Sequence, residues 1–274
     1  MKIITLVENK SISDAYQSEH GFSLYIETQS HKILFDLGQG ELFLENAKKM
    51  GVAVEDVDLV FISHGHYDHG GGLGAFLNAN QKAKIYFKDN AFDPHYSLKH
   101  NGEKRDIGLD SALSENERFV FVKGDFKINE TLSLFTDIAG KELPLEGNQK
   151  MLMNHLGEII QDNFTHEQSL LIEENGVSLL IVGCAHSGLV NILNHLKQEV
   201  EKPIDYVMGG FHLFRPTNND YEDSNLIGQM GEAMVKSGAQ FYTGHCTGLG
   251  AYEMLRTQLK ERIEYLATGR VLEL

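Results

Sequence analysis

The chain has little cysteine, little proline, no long apolar run and a shortage of basic charge. Its two cysteines, Cys184 and Cys246, exclude a disulfide framework and set the expectation of a cytoplasmic location. Four prolines and no Pro- or Ser-rich stretch leave no linker, so residues 1–274 read as a single domain. No apolar run approaches the roughly 20 residues a membrane span needs. The start, Met1 to Glu8, turns polar too soon for a signal peptide and reads as a first strand. With 24 basic against 39 acidic residues the net charge is −15, which disfavours nucleic acid and anionic membrane as partners. A small anionic molecule remains admissible, because a cation bound in a cleft inverts the local field. No Gly-x-Ser-x-Gly elbow is found, so no serine nucleophile of that kind is expected. Composition leaves the oligomeric state undetermined.

What the chain does have is histidine, 13 in all. In the run His64-Gly65-His66-Tyr67-Asp68-His69, three imidazoles and a carboxylate fall within six residues. Such donors bind a divalent ion without any thiolate. The preceding Leu59-Val60-Phe61-Ile62 reads as a buried strand, so these groups stand where a strand leaves the core, the usual place for a site in an open α/β architecture. The arrangement recurs. Leu179–Val182 leads through Gly183-Cys184-Ala185 to His186, Tyr206–Met208 through Gly209-Gly210-Phe211 to His212, and Phe241-Tyr242 through Thr243-Gly244 to His245. Small residues after a strand let the backbone turn sharply and approach a bound group. Strands opening at one sheet edge are expected to bring these histidines to one pocket.

Roles follow from spacing. His64 and His66, one residue apart in an extended turn, face one way and chelate one ion. Asp68 and His69, after a short bend, face a second ion or the attacking water, while His186 and His245 close the shells. Asp36, at a strand end, accepts a proton from a ligand histidine and fixes its tautomer. His20 and His212 are substrate contacts in this reading. A bound divalent ion brings water to a pKa of roughly 7 and polarises a phosphoryl or carbonyl oxygen, and Asp68 takes or relays the proton. The donors suit zinc first, then iron, manganese or nickel, as one ion or two. Cys184 reads as a small buried residue. Cys246, next to His245 in an extended segment, points the other way and packs, and His31, His155 and His195 read as surface residues.

Around these motifs, strands and helices alternate. Ile3–Val7, Ser23–Glu27 and Lys32–Phe35 read as strands, with a hairpin turn at His31-Lys32. Glu41–Met50 reads as a helix closed by Gly51, Leu73–Leu77 as a short helix and Lys84–Phe87 as a strand. Residues 89–116 are polar and without period, and read as a lid or substrate loop. Phe119–Leu134 suggests antiparallel hairpins. Gln168–Ile172 and Val177–Val182 flank the turn Glu173-Glu174-Asn175-Gly176. Leu189, Ile192, Leu193 and Leu196 form one apolar helical face, and Ile204–Met208, Gln240–Thr243 and Arg270–Leu272 supply further strands. Each half is thus a hairpin followed by alternating strands and helices.

The run His64-Gly65-His66-Tyr67-Asp68-His69 is similar to the H-x-H-x-D-H signature of the metallo-β-lactamase-fold superfamily, and Phe35-Asp36-Leu37-Gly38 resembles its first motif. The resemblance covers nearly the whole chain. It implies an α/β fold, the αββα sandwich, with a metal site at one edge. Glu19–Leu24, Gly183–Ile192, Gly209–Leu213 and Thr243–Gly248 resemble the branch labelled after 7,8-dihydropterin-6-methyl-(ribofuranosyl)aminobenzene-phosphate synthase. The label implies a condensation in which diphosphate leaves a pterin carrier. One departure stands out: Cys184 occupies the slot where the superfamily's bridging aspartate is usual. Either solvent alone bridges two metals, or His186 replaces a usual ligand, or one metal binds. His166 matches the third-motif histidine. The resemblance implies a metal-dependent hydrolase or related transferase acting on a phosphorylated or diphosphate-bearing, pterin-like small molecule. The alternatives are an iron-dependent redox enzyme of the same fold and a non-catalytic metal or ligand sensor. His66, where the diiron members carry glutamate, argues against the former.

Overall fold

The computed structural model describes residues 1–215 and 219–274. The chain divides into two compact units. The first comprises Met1–Pro94, Ile107–Lys123 and Leu266–Leu274, and the second His95–Asp106 and Gly124–Tyr265.

In the first unit a seven-stranded sheet runs in the order Val271–Glu273, Lys2–Val7, Ser23–Glu27, Lys32–Phe35, Leu59–Phe61, Lys84–Lys88, Phe119–Val122. The first four strands pair antiparallel and the last three join in parallel. Leu59–Phe61 is buried at every position, as a parallel strand reading as a continuous apolar run should be. The hairpin turn is held by Thr28, whose Oγ1 accepts the Ser30 and His31 N–H groups at 3.3 and 2.9 Å. The helix Leu42–Lys49 buries Phe43 and Ala47, and Gly51 follows it at φ +71°. Phe43, Phe76, Phe87, Leu34 and Val60 belong to this unit's apolar core.

The second unit repeats the plan. Its seven-stranded sheet runs Ile263–Tyr265, Gln240–Thr243, Tyr206–Gly209, Val177–Ile181, Gln168–Glu174, Leu132–Thr136, Phe126–Lys127. The first four join in parallel and the rest antiparallel. Helices Leu189–Glu199, Ser224–Ser237 and Leu249–Leu259 bury Ile192, Met230 and Leu255 in a core with Val207, Phe211 and Phe241. Asp223 caps the second of these, accepting the Asn225 and Leu226 N–H groups.

Two readings of local structure need revision. Phe119–Val122, expected in an antiparallel hairpin, lies parallel to Lys84–Lys88. The connection between them is long enough for a crossover, and Phe119 meets Phe87 with ring centroids 4.8 Å apart. Residues 89–116 are not wholly irregular: His95–Leu98 and Lys104–Asp106 pair antiparallel at one end of a second-unit sheet completed by Met151–His155 and Glu158–Gln161. Lys104–Asp106 is exposed throughout, so no buried alternation marks it as a strand. Among the described residues, no helix is long and apolar enough to cross a membrane.

Candidate metal centre

In the first unit the donors follow directly on the parallel strands. Asp36 comes after Lys32–Phe35 and is held in the left-handed region at φ +59°. Its carboxylate is fully buried. Oδ1 accepts the Ser63 N–H at 2.7 Å, and Oδ2 accepts the Ser63 hydroxyl at 2.7 Å and pairs with His69 Nδ1 at 2.6 Å. A carboxylate is an acceptor only, so His69 carries its proton on Nδ1 and its lone pair on Nε2. Ser63 Oγ spends its hydrogen on Asp36, so at 2.8 Å it accepts from His64 Nδ1, which leaves the His64 lone pair on Nε2 as well. One carboxylate, directly and through one hydroxyl, thus sets both tautomers. The His64 ring lies 4.5 Å from that of His66 and 4.2 Å from that of His69. Asp68 Oδ2 lies 3.8 Å from His69 Nε2 and 3.1 Å from His20 Nε2. His20, with its side chain 41% exposed, links Asp68 to solvent.

In the second unit Cys184, His186, His212 and His245 follow three adjacent parallel strands, and all are buried. Ala185, His212 and His245 take positive φ, at 52°, 49° and 50°. Backbone strain of this kind gathers at functional sites. Donor atoms of Cys184, His186 and His212 lie within 4.8 Å of one another, as do those of Cys184, His245 and Cys246. Glu167 orders the His186 turn, its carboxylate accepting the His186 and Ser187 N–H groups at 2.7 and 2.9 Å. Burial pushes the Glu167 carboxyl above its usual range, against the lowering effect of those bonds. Asn148 brackets His186: its amide oxygen lies 3.1 Å from Nδ1, and its amide nitrogen donates to the His186 carbonyl at 2.8 Å. The segment carrying Asn148 is fixed by Glu222, which accepts the Glu146 and Gly147 N–H groups. Phe164 stacks on His186 at 4.4 Å.

Cys246 departs from expectation. His245–Thr247 forms a 3-10 turn rather than an extended segment, so the Cys246 thiol stays near His245 and accepts the His212 N–H at 3.2 Å. Burial pushes this thiol up, but Cys184, His212 and His245 outweigh it and bring it well below its usual value. His166, the expected third-motif histidine, points Nε2 at Asp162 Oδ2, 3.1 Å away. His195 is paired with Asp125 at 2.8 Å.

The residues fit a divalent cation. His212 is 5% exposed and neither ring nitrogen has a hydrogen-bond partner among the described residues, and imidazoles, carboxylates and thiols are the donors such ions take. The sequence reading missed Ser63, Asn148 and Glu167. Ser63 precedes the motif and Glu167 follows His166, but nothing local marks Asn148.

A model of the metallo-β-lactamase superfamily matches residues 19–224. The chain is 28% identical over 300 aligned positions to the 7,8-dihydropterin-6-methyl-4-(β-D-ribofuranosyl)-aminobenzene-5'-phosphate synthase of Methanocaldococcus jannaschii, covering 100% of this chain and 96% of that protein. The crystal structure of Tm1679, a metal-dependent hydrolase of the β-lactamase superfamily, is similar with a TM-score of 0.81 at 29% identity, covering 100% of this chain and 99% of that one. Zinc-bound PqqB from Methylobacterium extorquens, at 12% identity and a TM-score of 0.58 over 100% of both chains, shares the fold.

Proposed function

This chain belongs to the metallo-β-lactamase superfamily, and from that premise we propose that it is a metal-dependent hydrolase or related transferase acting on a phosphorylated or diphosphate-bearing, pterin-like small molecule. In this reading His64, His66, Asp68, His69, His186 and His245 hold one or two divalent ions, zinc first among them. When bound, such an ion acidifies water and polarises a phosphoryl oxygen.

The observation that carries the reading is the chain His64 Nδ1–Ser63 Oγ–Asp36 Oδ2–His69 Nδ1, with separations of 2.8, 2.7 and 2.6 Å. It spends the Nδ1 proton of both histidines inside the protein and keeps their Nε2 lone pairs for a cation. Asp68 takes the proton from the attacking water, and His20, whose partly exposed ring places Nε2 3.1 Å from Asp68 Oδ2, donates to that oxygen and orients the carboxylate. His212, buried and with both ring nitrogens unspent, is assigned to substrate contact. The phosphate in the product named by the 28% identical synthase supports the substrate class.

The test is a screen of the zinc-, manganese- and iron-loaded protein against phosphomonoesters, phosphodiesters, diphosphates, thioesters and lactones. Turnover is expected on a phosphate class and is lost in Asp68→Ala. No turnover on any class, or turnover on lactones alone, would overturn the reading.

A further inference from the structure

We propose that Thr243 and Thr247 are positioning residues for His212: two buried hydroxyls that hold the turn Gly209-Gly210-Phe211-His212 so that its imidazole meets a bound phosphate. This role presupposes the assignment of His212 to substrate contact. His212 differs from the other histidines of the second unit and the first in how its ring is held. His64, His69 and His186 are oriented through Nδ1, by Ser63, Asp36 and Asn148. His212 is 5% exposed, and neither ring nitrogen has a hydrogen-bond partner among the described residues. Its ring packs against that of His186, with centroids 4.2 Å apart. The direction of the side chain is therefore set through the backbone, which sits in the left-handed region at φ +49°. A residue other than glycine stays there only where its surroundings over-determine it.

Three consecutive N–H groups hold that turn. Gly210 donates to the Gly183 carbonyl at 2.8 Å, Phe211 to Thr247 Oγ1 at 2.9 Å and His212 to Cys246 Sγ at 3.2 Å. The turn is thus stitched to the segments that follow both neighbouring parallel strands, Val177–Ile181 and Gln240–Thr243. Hydrogen bookkeeping makes Thr247 the acceptor. Thr243 stands in register with Gly209, and its Oγ1 lies 2.8 Å from the Gly209 carbonyl oxygen. A carbonyl only accepts, so the Thr243 hydrogen goes there. The Thr247 hydroxyl, 2.6 Å from Thr243 Oγ1, then donates to that oxygen and keeps a lone pair for the Phe211 N–H. Both threonines are fully buried, where a lost hydroxyl leaves the Phe211 N–H without its acceptor.

The test compares Thr247→Val, which keeps the shape and removes the hydroxyl, with Thr247→Ser, which keeps the hydroxyl, in the full zinc-loaded chain. Inorganic phosphate is the probe, titrated by calorimetry. Thr247→Val is expected to weaken phosphate binding about tenfold, the worth of one hydrogen bond to a charged group, with metal equivalents unchanged. Thr247→Ser should match wild type, and Thr247→Val should cost nothing further in a His212→Ala background. Wild-type affinity in Thr247→Val, an equal loss in Thr247→Ser or an added loss beyond that of His212→Ala would each overturn the role. Crystal structures of the two variants give a readout independent of binding. His212 leaving the left-handed region in Thr247→Val alone supports the role, and a φ unchanged from +49° refutes it. Should Thr247→Val fail to fold, Thr243→Val takes its place, since it removes the acceptor that turns the Thr247 lone pair toward Phe211. Wild-type protein that binds no phosphate would count against the phosphate reading, and the crystal structures would still decide the role of the two hydroxyls.

Discussion

Asp36 Oδ2 takes two hydrogens at once, from the Ser63 hydroxyl at 2.7 Å and His69 Nδ1 at 2.6 Å. Removing that carboxylate lets the His64 and His69 imidazoles rotate or change tautomer. Asp36→Ala is therefore expected to weaken zinc binding by about 10–100-fold, measured by titration of the stripped protein; an unchanged Kd would count against the relay. His66→Ala and Asp68→Ala remove donors outright, and metal content should fall while circular dichroism stays native. His195 provides the contrast. Its bond to Asp125 is partly exposed, with 28% of the His195 side chain accessible. His195→Ala should leave metal content unchanged and alter stability by less than about 1 kcal/mol. At this scale the sequence displayed the donors but not their partners, because Ser63 and Asp36 stand 27 positions apart and Asn148 and His186 stand 38 apart.

Four of the strands that lead to candidate donors end in short turns with left-handed residues, at Asp36, Ala185, His212 and His245. Such a conformation costs an ordinary residue about 1–2 kcal/mol. At Ala185 no side-chain function opposes relief, so Ala185→Gly is expected to stabilise by up to about 1 kcal/mol in urea denaturation. Gly209 is the opposite case. At φ +138° an added Cβ would stand 2.0 Å from the Val182 carbonyl oxygen. Gly209→Ala is expected to destabilise by about 3 kcal/mol, and a midpoint unchanged from wild type would contradict the close approach. Most of the elements were legible from periodicity, including Ser23–Glu27, Leu42–Lys49, Val177–Ile181 and Leu189–Glu199. Lys104–Asp106 and Glu158–Gln161 were not, since they bury too little for alternation to show.

At the scale of the molecule, each unit holds its own seven-stranded sheet, antiparallel at one side and parallel at the other. His66→Ala and His186→Ala should each lower metal content, and full content in either variant would remove that residue from the proposed ligand set. Ions bound by the native state alone stabilise it by mass action, and chelation is expected to lower the melting temperature by about 5–10 °C. An identical melting curve with and without chelator would deny a tightly held ion. The sequence by itself determined the alternation of strands and helices, the small residues after the strands and the kinds of donor that follow them. Those features are encoded within about ten residues of one another, where periodicity and turn chemistry operate. Only the tertiary structure decided that Asp36 governs His64 through Ser63, that Asn148 and Glu167 secure His186, and that Thr247 holds the turn carrying His212. Hydrogen-bond partners are chosen by distance in space, and segments far apart in the chain become neighbours only when the sheets form.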